Sequence, residues 1–109
     1  MQRKVVDSLL EMSNLSKDKT GLAYDIWIDS GGEVRKVSHR KPRLEVILNK
    51  NELVPVSISA EPEILVNKNI RKFREVAKWI KINRESLLKF WNKSIDHDEL
   101  LKNLKSMNN

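Results

Sequence analysis

The sequence predicts an α+β fold in which strands come first and helices follow. Between residues 22 and 59, short segments of alternating apolar and polar residues are separated by turn-forming residues, a pattern typical of strands. From residue 68 onward, apolar residues recur at intervals of three and four, which indicates amphipathic helices. Strands followed by helices favour a mainly antiparallel sheet with the helices packed on one face.

Length and composition restrict the class of protein. The 109 residues fit a single domain, 1–109, and a hydrophobic content of 39% supports a modest core. The chain has no cysteine, which excludes disulfides and thiolate metal sites. Its N-terminal apolar run is too short for a signal peptide, and no apolar run reaches the ~20 residues of a membrane span. We therefore expect a cytoplasmic protein with no membrane association.

The N-terminal region, residues 1–20, is predicted to be a helix followed by a connector. Val5, Val6, Leu9 and Leu10 have helical spacing within residues 2–13. This short amphipathic helix is expected to dock on the sheet or on another subunit, which leaves a homodimer open. Residues 14–20 are polar and predict a connector that Gly21 ends.

The sheet is predicted to be a four-stranded meander over residues 22–59. Its strands are residues 22–29, 34–38, 43–49 and 53–59. In the first, Tyr24, Ile26 and Ile28 alternate with Asp25, Trp27 and Asp29. Two glycines in residues 30–33 favour a hairpin turn before the second strand. Pro55 indicates that the fourth strand is an edge strand or carries a bulge.

The helical half, residues 68–106, is predicted to contain three helices. The main helix runs from residue 68 or 69 to about residue 82, and Asn83 is suited to cap a second helix over 84–92. Asp96 and Glu99 form a capping-box pattern that opens a last helix through Leu104. One arc of the main helix is apolar and is expected to face the core, with Trp79 at its edge. Its residues are Ile70, Phe73, Val76, Ala77 and Ile80.

The opposite arc of the main helix carries only cations, namely Arg71, Arg74, Lys78 and Lys81. Residues 68–93 contain nine basic and two acidic residues, a net charge of +7 against +6 for the whole chain. Such asymmetry attracts nucleic acid or an acidic protein surface. We expect these cations, extended by Arg40 and Arg43, to form one binding surface. The alternative is a solvated coat that only keeps the protein soluble.

His39 is the candidate for catalysis. Together with Arg40 and Arg43 it forms a cationic cluster that could hold a phosphate and move a proton, as metal-independent RNA cleavage requires. A solvated loop explains the same residues, since no second base lies near in sequence. His97 is interpreted as a polar first-turn residue. Two distant histidines without cysteine do not supply a zinc site, and no phosphate-binding glycine motif indicates a cofactor.

Trp27 is a further candidate binding residue. It alternates with the apolar face of its strand and is expected to be partly exposed, where it could stack on a base or anchor a protein. Packing on the sheet face explains it equally well. Trp79 and Trp91 are expected to be core residues.

Two stretches resemble the small bacterial proteins grouped as domain of unknown function 4160. They are WIDSGGEVRKVSHRKPRLEVILN and EILVNKNIRKFREVAKWIKINRESLLKFWN, and the resemblance covers roughly residues 24–104. In the helical half, the matching positions are Trp79-Ile80, Asn83, Leu87-Leu88 and Trp91.

The resemblance is incomplete at the histidine-rich motif of that family. His39 and Pro42 match its first histidine and proline, but Arg43 and Glu45 occupy the positions of two further histidines. A site built on those histidines is therefore not intact here. The resemblance implies a component of a toxin–antitoxin-like or mobile-element system, without a defined biochemical activity.

Three functional hypotheses follow. The first is a non-enzymatic binding module that engages an anionic partner, either an acidic protein or a nucleic acid. The second is a small RNA-cleaving toxin that uses His39 and the neighbouring arginines. The third, a narrower form of the first, is a phage-type inhibitor of a host defence complex.

Overall fold

The computed structural model describes residues 12–30 and 41–107, which form an α+β fold with a four-stranded antiparallel sheet and C-terminal helices. This confirms the predicted fold class. The elements in chain order are β1 (Met12–Leu15), α1 (Lys17–Thr20), β2 (Asp25–Asp29), β3 (Arg43–Asn49), β4 (Glu52–Ser57), α2 (Phe73–Trp91) and α3 (His97–Asn103).

The strands lie in the order β1-β2-β3-β4, and each is antiparallel to its neighbours. One row of paired residues across the sheet is apolar and buried: Leu15, Ile26, Val46 and Val54. Because side chains alternate along a strand, the adjacent row points to the other face. That row consists of Asn14, Trp27, Glu45 and Pro55.

The first strand was not predicted from the sequence. Met12 and Ser13 were assigned to the end of the N-terminal helix, and residues 14–20 to a connector, but residues 12–15 pair with β2. Ser13 and Leu15 are buried while Met12 and Asn14 are exposed, which is the two-residue period of a half-buried strand. The rest of the predicted helix, residues 2–11, lies outside the described residues.

The predicted second strand, residues 34–38, and the glycines of the turn before it also lie outside the described residues. Among the described residues, β1 is the fourth strand of the sheet. Residues 17–20 form the short helix α1, which ends at Gly21 as expected. Gly21 has φ 76°, a conformation that glycine adopts without steric cost, and its N–H donates to the Lys17 carbonyl at 2.8 Å.

Strand β4 lies at the edge of the sheet, as Pro55 predicted. The Leu65 N–H donates to the Pro55 carbonyl at 2.9 Å, and the Ser57 N–H donates to the Glu63 carbonyl at 2.9 Å. Ile64 is bridged to Val56 between these two bonds. Residues 63–65 therefore cover the outer side of β4, where the nitrogen of Pro55 has no hydrogen to offer.

Helix α2 is one continuous helix of 19 residues, so the prediction that Asn83 separates two helices is wrong. Asn83 is buried, and its amide nitrogen donates to the carbonyls of Trp79 at 3.1 Å and Lys105 at 3.0 Å. Its amide oxygen accepts from the Lys105 N–H at 2.7 Å. The helix also begins later than expected, at Phe73, after Lys72 in a left-handed conformation with φ 61°.

The core lies between the sheet and the buried side of α2. The predicted helix residues Val76, Ile80 and Leu87 are buried in one cluster with strand residues, while Phe73 is half-buried against it. Trp79, expected at the edge of the apolar arc, is fully buried, as is Phe90. The strand residues of this cluster are Leu15, Ile26, Ile28, Leu44, Val46, Val54 and Val56.

The last helix, α3, begins where the capping pattern predicted. The Asp96 carboxylate accepts a hydrogen bond from the Glu99 N–H at 2.9 Å, so it satisfies one of the free N–H groups of the first turn. Leu100 is fully buried and attaches α3 to the core. No helix within residues 12–30 and 41–107 has the length and apolar character needed to cross a membrane.

The core contact of α2 can be tested with two isoleucines of the same helix. Ile80 is fully buried, whereas Ile82 is 43% exposed. We expect Ile80→Ala to lower the free energy of unfolding by about 2–5 kcal/mol, because it leaves a cavity. Ile82→Ala should change it by no more than about 0.5 kcal/mol. Urea denaturation measures both, and equal losses would contradict the orientation of the helix described here.

Candidate anion-binding surface

Three of the four cations predicted on one arc of the helix, Arg74, Lys78 and Lys81, lie on its exposed side, whereas Arg71 precedes the helix, which begins at Phe73. We call Arg71, Arg74, Lys78 and Lys81 the cationic stripe, and each of them is exposed. The opposite side of α2 is buried by residues that include Val76 and Ile80. Residues three, four and seven apart lie on the same side of a helix. Because the side opposite the stripe is buried, the stripe residues of α2 face solvent.

Three members of the cationic stripe have no acidic partner among the residues that the structure describes. Lys81 Nζ lies 3.4 Å from Glu61 Oε1, but both side chains are strongly exposed, so the pair contributes little to stability. Arg71, Arg74 and Lys78 form no ion pair within residues 12–30 and 41–107. No carboxylate of these two segments neutralises their charges.

Other cations in the same half are already paired. Lys68 Nζ donates to Glu52 Oε2 at 2.6 Å, and this hydrogen bond holds the pKa of Glu52 below its ordinary value of 4.5. Lys89 Nζ lies 3.5 Å from Glu85 Oε2, one turn away on α2. The contrast distinguishes Arg71, Arg74 and Lys78 from Lys68 and Lys89.

The N-terminal end of α2 adds positive potential to one end of the stripe. No side chain caps this end, because Lys72 occupies the cap position. The Tyr24 hydroxyl donates to the Arg71 carbonyl at 3.1 Å and so holds the backbone just before the helix. The N–H groups of Phe73 and Glu75 donate to the carbonyls of Ile70 and Lys72, and the helix dipole places partial positive charge near Arg71 and Arg74.

Two stripe residues line an open depression of about 410 Å³. Arg74 and Lys78 are four residues apart on α2, which brings side chains to the same side within one turn. Glu75 places a carboxylate beside them. The remaining lining residues, Gly21 and Met107, come from the end of α1 and from the C-terminal segment. We call this feature the depression.

The wall formed by the C-terminal segment is held by backbone hydrogen bonds. The Met107 N–H donates to the Thr20 carbonyl at 2.8 Å, next to Gly21. Two residues earlier, the buried side-chain amide of Asn83 forms hydrogen bonds with both the N–H and the C=O of Lys105. The segment therefore lies alongside α2 from Asn83 toward Arg74 and Lys78. The depression could not be predicted from the sequence, because its three walls come from distant parts of the chain.

Arg43 and Trp27 lie across the sheet from the cationic stripe. Arg43 begins β3 next to the buried Leu44, so its side chain points away from the face that α2 covers. Its Nε is buried and has no hydrogen-bond partner in the part of the chain that the structure describes. Trp27 is half-buried on the same outer face, and its Nε1 donates to Asp29 Oδ1 at 3.0 Å. Arg43 therefore does not extend the stripe as expected.

The structure describes only one of the three residues of the catalytic hypothesis. His39 and Arg40 lie outside the described residues, and Arg43 is accounted for above. Within the two described segments, no group of three histidine, aspartate or glutamate side chains comes together to hold a metal ion.

His97 has a contact that the sequence did not predict. Its Nδ1 is hydrogen-bonded to the Ser13 hydroxyl, which joins the start of α3 to β1 across 84 positions of sequence. A serine paired with a histidine is a nucleophile and a base in chemical terms. Ser13 is only 1% exposed, however, so a substrate has no access to its hydroxyl. The hydrogen bond between Ser13 and His97 joins β1 to the start of α3.

Comparison with protein-family models, curated proteins and solved structures found no match to this chain.

Asn83 can be tested as the residue that holds the wall of the depression. We expect Asn83→Ala to lower the free energy of unfolding by about 1–3 kcal/mol, because the part-buried N–H and C=O of Lys105 lose their partner. The Lys105 amide should also exchange its hydrogen faster. Asn103 is a suitable control, since its side chain bonds the Glu99 carbonyl on the exposed side of α3.

Hydrogen exchange followed by NMR measures this effect for each amide. Asn103→Ala should leave the exchange of Lys105 unchanged and alter stability by no more than about 0.5 kcal/mol. Unchanged protection of Lys105 in Asn83→Ala would show that the C-terminal segment is held by other contacts.

Proposed function

We propose that this protein is a non-enzymatic binding module that captures an anionic partner through its cationic stripe. The proposal rests on the exposure of Arg71, Arg74 and Lys78 and on their ion pairing. All three are exposed, Arg71 just before α2 and the other two on one side of it, and none forms an ion pair among the described residues.

The backbone of α2 is held rigidly by the core, which supports a binding role for its cationic side. The opposite side of the helix is fixed in the core by Trp79, Ile80 and Phe90, all fully buried. The backbone that carries the stripe is thus ordered before a partner arrives. A pre-ordered surface loses less conformational entropy on binding, so more of the electrostatic attraction appears as affinity.

The chemistry of the stripe suits phosphate and carboxylate groups. Arginine donates two parallel hydrogen bonds to either group, whereas lysine contributes a compact charge. The net charge of +7 in residues 68–93 extends the attraction beyond direct contacts. The proposed partner is a nucleic acid or an acidic protein. On the sequence resemblance alone, we extend the proposal to a toxin–antitoxin-like or mobile-element system.

Charge reversal of the stripe tests this proposal. We expect Arg71→Glu, Arg74→Glu and Lys78→Glu together to weaken partner binding strongly without unfolding the protein, since all three side chains are exposed. For a nucleic-acid partner, log affinity decreases linearly with log salt concentration. The magnitude of that slope should decrease by at least about three in the triple variant. Binding isotherms at several salt concentrations measure this, first with partners co-purified from the native host.

A second triple variant controls for net charge. Lys50, Arg84 and Lys102 are exposed and lie outside the stripe, and they too form no ion pair within the described parts of the chain. Their replacement by glutamate changes the net charge of +6 by the same amount as the first triple. It should weaken binding far less. Equal losses in the two triples, or affinity without salt dependence, would show that the stripe is a solvated coat.

A further inference from the structure

We propose that the depression binds a nucleotide through a terminal phosphate monoester, with Arg74 and Lys78 as its phosphate ligands. This proposal rests on the proposed function, because it assigns a defined ligand group to part of the cationic stripe. It adds a specific site to a surface that would otherwise attract anions only by its field.

Two of the three charged side chains that line the depression are cations, and Glu75 reduces the net charge of the lining to +1. Arg74 and Lys78 both line it, about 6 Å apart at their Cβ atoms as one helical turn dictates. Neither forms an ion pair among the described residues. A phosphate monoester carries a charge of about −1.5 to −2 at pH 7 and three acceptor oxygens, so two cations can bind it together.

The carboxylate of Glu75 restricts what else the ligand can carry. It lines the same depression and forms no ion pair with any residue of the described segments. A second anionic group on the ligand would be repelled by it, which disfavours an acidic peptide. A hydroxyl or amino group would instead donate a hydrogen bond to it. Nucleotides combine one phosphate with sugar hydroxyls and an uncharged base.

The size and shape of the depression fit the same ligand class. Its volume of about 410 Å³ lies in the range of small-molecule sites, roughly 300–1,000 Å³, and exceeds what a phosphate alone would fill. Gly21 contributes no side chain to the wall, while Met107 offers an apolar surface for the sugar or base. Because the depression is open, the ligand can be a free nucleotide or the 5′ end of a nucleic acid strand.

Isothermal titration calorimetry of the full chain with adenosine 5′-monophosphate tests the site, with adenosine as the probe that lacks phosphate. We expect the monophosphate to bind at least about tenfold more tightly than adenosine. Arg74→Gln and Lys78→Gln should each weaken its binding by about tenfold or more. Arg84→Gln removes one charge from the same helix outside the depression and should change affinity less than about twofold.

Gly21→Asn tests the volume of the depression without changing its charge. Asparagine tolerates the left-handed conformation that Gly21 adopts, and its side chain would occupy part of the space. We expect weaker binding of the monophosphate with a thermal unfolding midpoint close to that of the wild type. Full affinity in this variant would place the ligand elsewhere and overturn the proposal.

Two oligonucleotides of one sequence, with a 5′-phosphate or a 5′-hydroxyl, identify the source of the ligand. Preference for the 5′-phosphate supports a strand end, and binding of the monophosphate without such preference supports a free nucleotide. Equal affinity for the monophosphate and adenosine, or equal losses in Arg74→Gln and Arg84→Gln, would overturn the site. Binding of a phosphoserine peptide but not of the monophosphate would overturn the assignment to nucleotides.

The proposed function is judged by a different result. If the stripe triple strongly weakens partner binding while the monophosphate does not bind, the site fails and the binding module stands. If the stripe triple changes nothing, the binding module fails, whatever the titration of the depression gives.

Discussion

The burial of one side of α2 against the sheet is the contact on which the rest of this structure depends. Gathering cations on one side of a helix has a cost, since like charges one turn apart destabilise it by about 0.2–0.5 kcal/mol a pair. Burial of each large side chain on the opposite side contributes about 1.5–3 kcal/mol. Packing by Trp79, Ile80, Leu87 and Phe90 therefore outweighs the repulsion. The orientation of the stripe is a consequence of the core.

Features that depend on local pattern could be predicted from the sequence. The 3.6-residue period assigned the buried and exposed sides of α2, because it reflects the geometry of the helix itself. Pro55 indicated an edge strand because it cannot donate to a neighbour, and Asp96 indicated a helix start because its carboxylate suits a free N–H. In each case the physical cause lies within a few residues of the signal.

Features that depend on distant partners could not be predicted in this way. Asparagine favours caps and turns, yet Asn83 is buried in mid-helix because Lys105, 22 residues later, supplies a matching N–H and C=O. Ser13 and Asn14 are weak strand formers that pair because β2 lies beside them. The depression likewise requires α1, α2 and the C-terminal segment to meet. Tertiary contacts decided all three.

The covering of β4 by residues 63–65 has a consequence for how copies of this protein behave in a crowded solution. An open strand edge is a template on which another chain can add a strand, and such growth leads to aggregation. Here the Pro55 carbonyl and the Ser57 N–H are already bound, so an incoming strand would have to displace residues 63–65 from them. Along these positions, the sheet cannot be extended from molecule to molecule without first breaking its own hydrogen bonds.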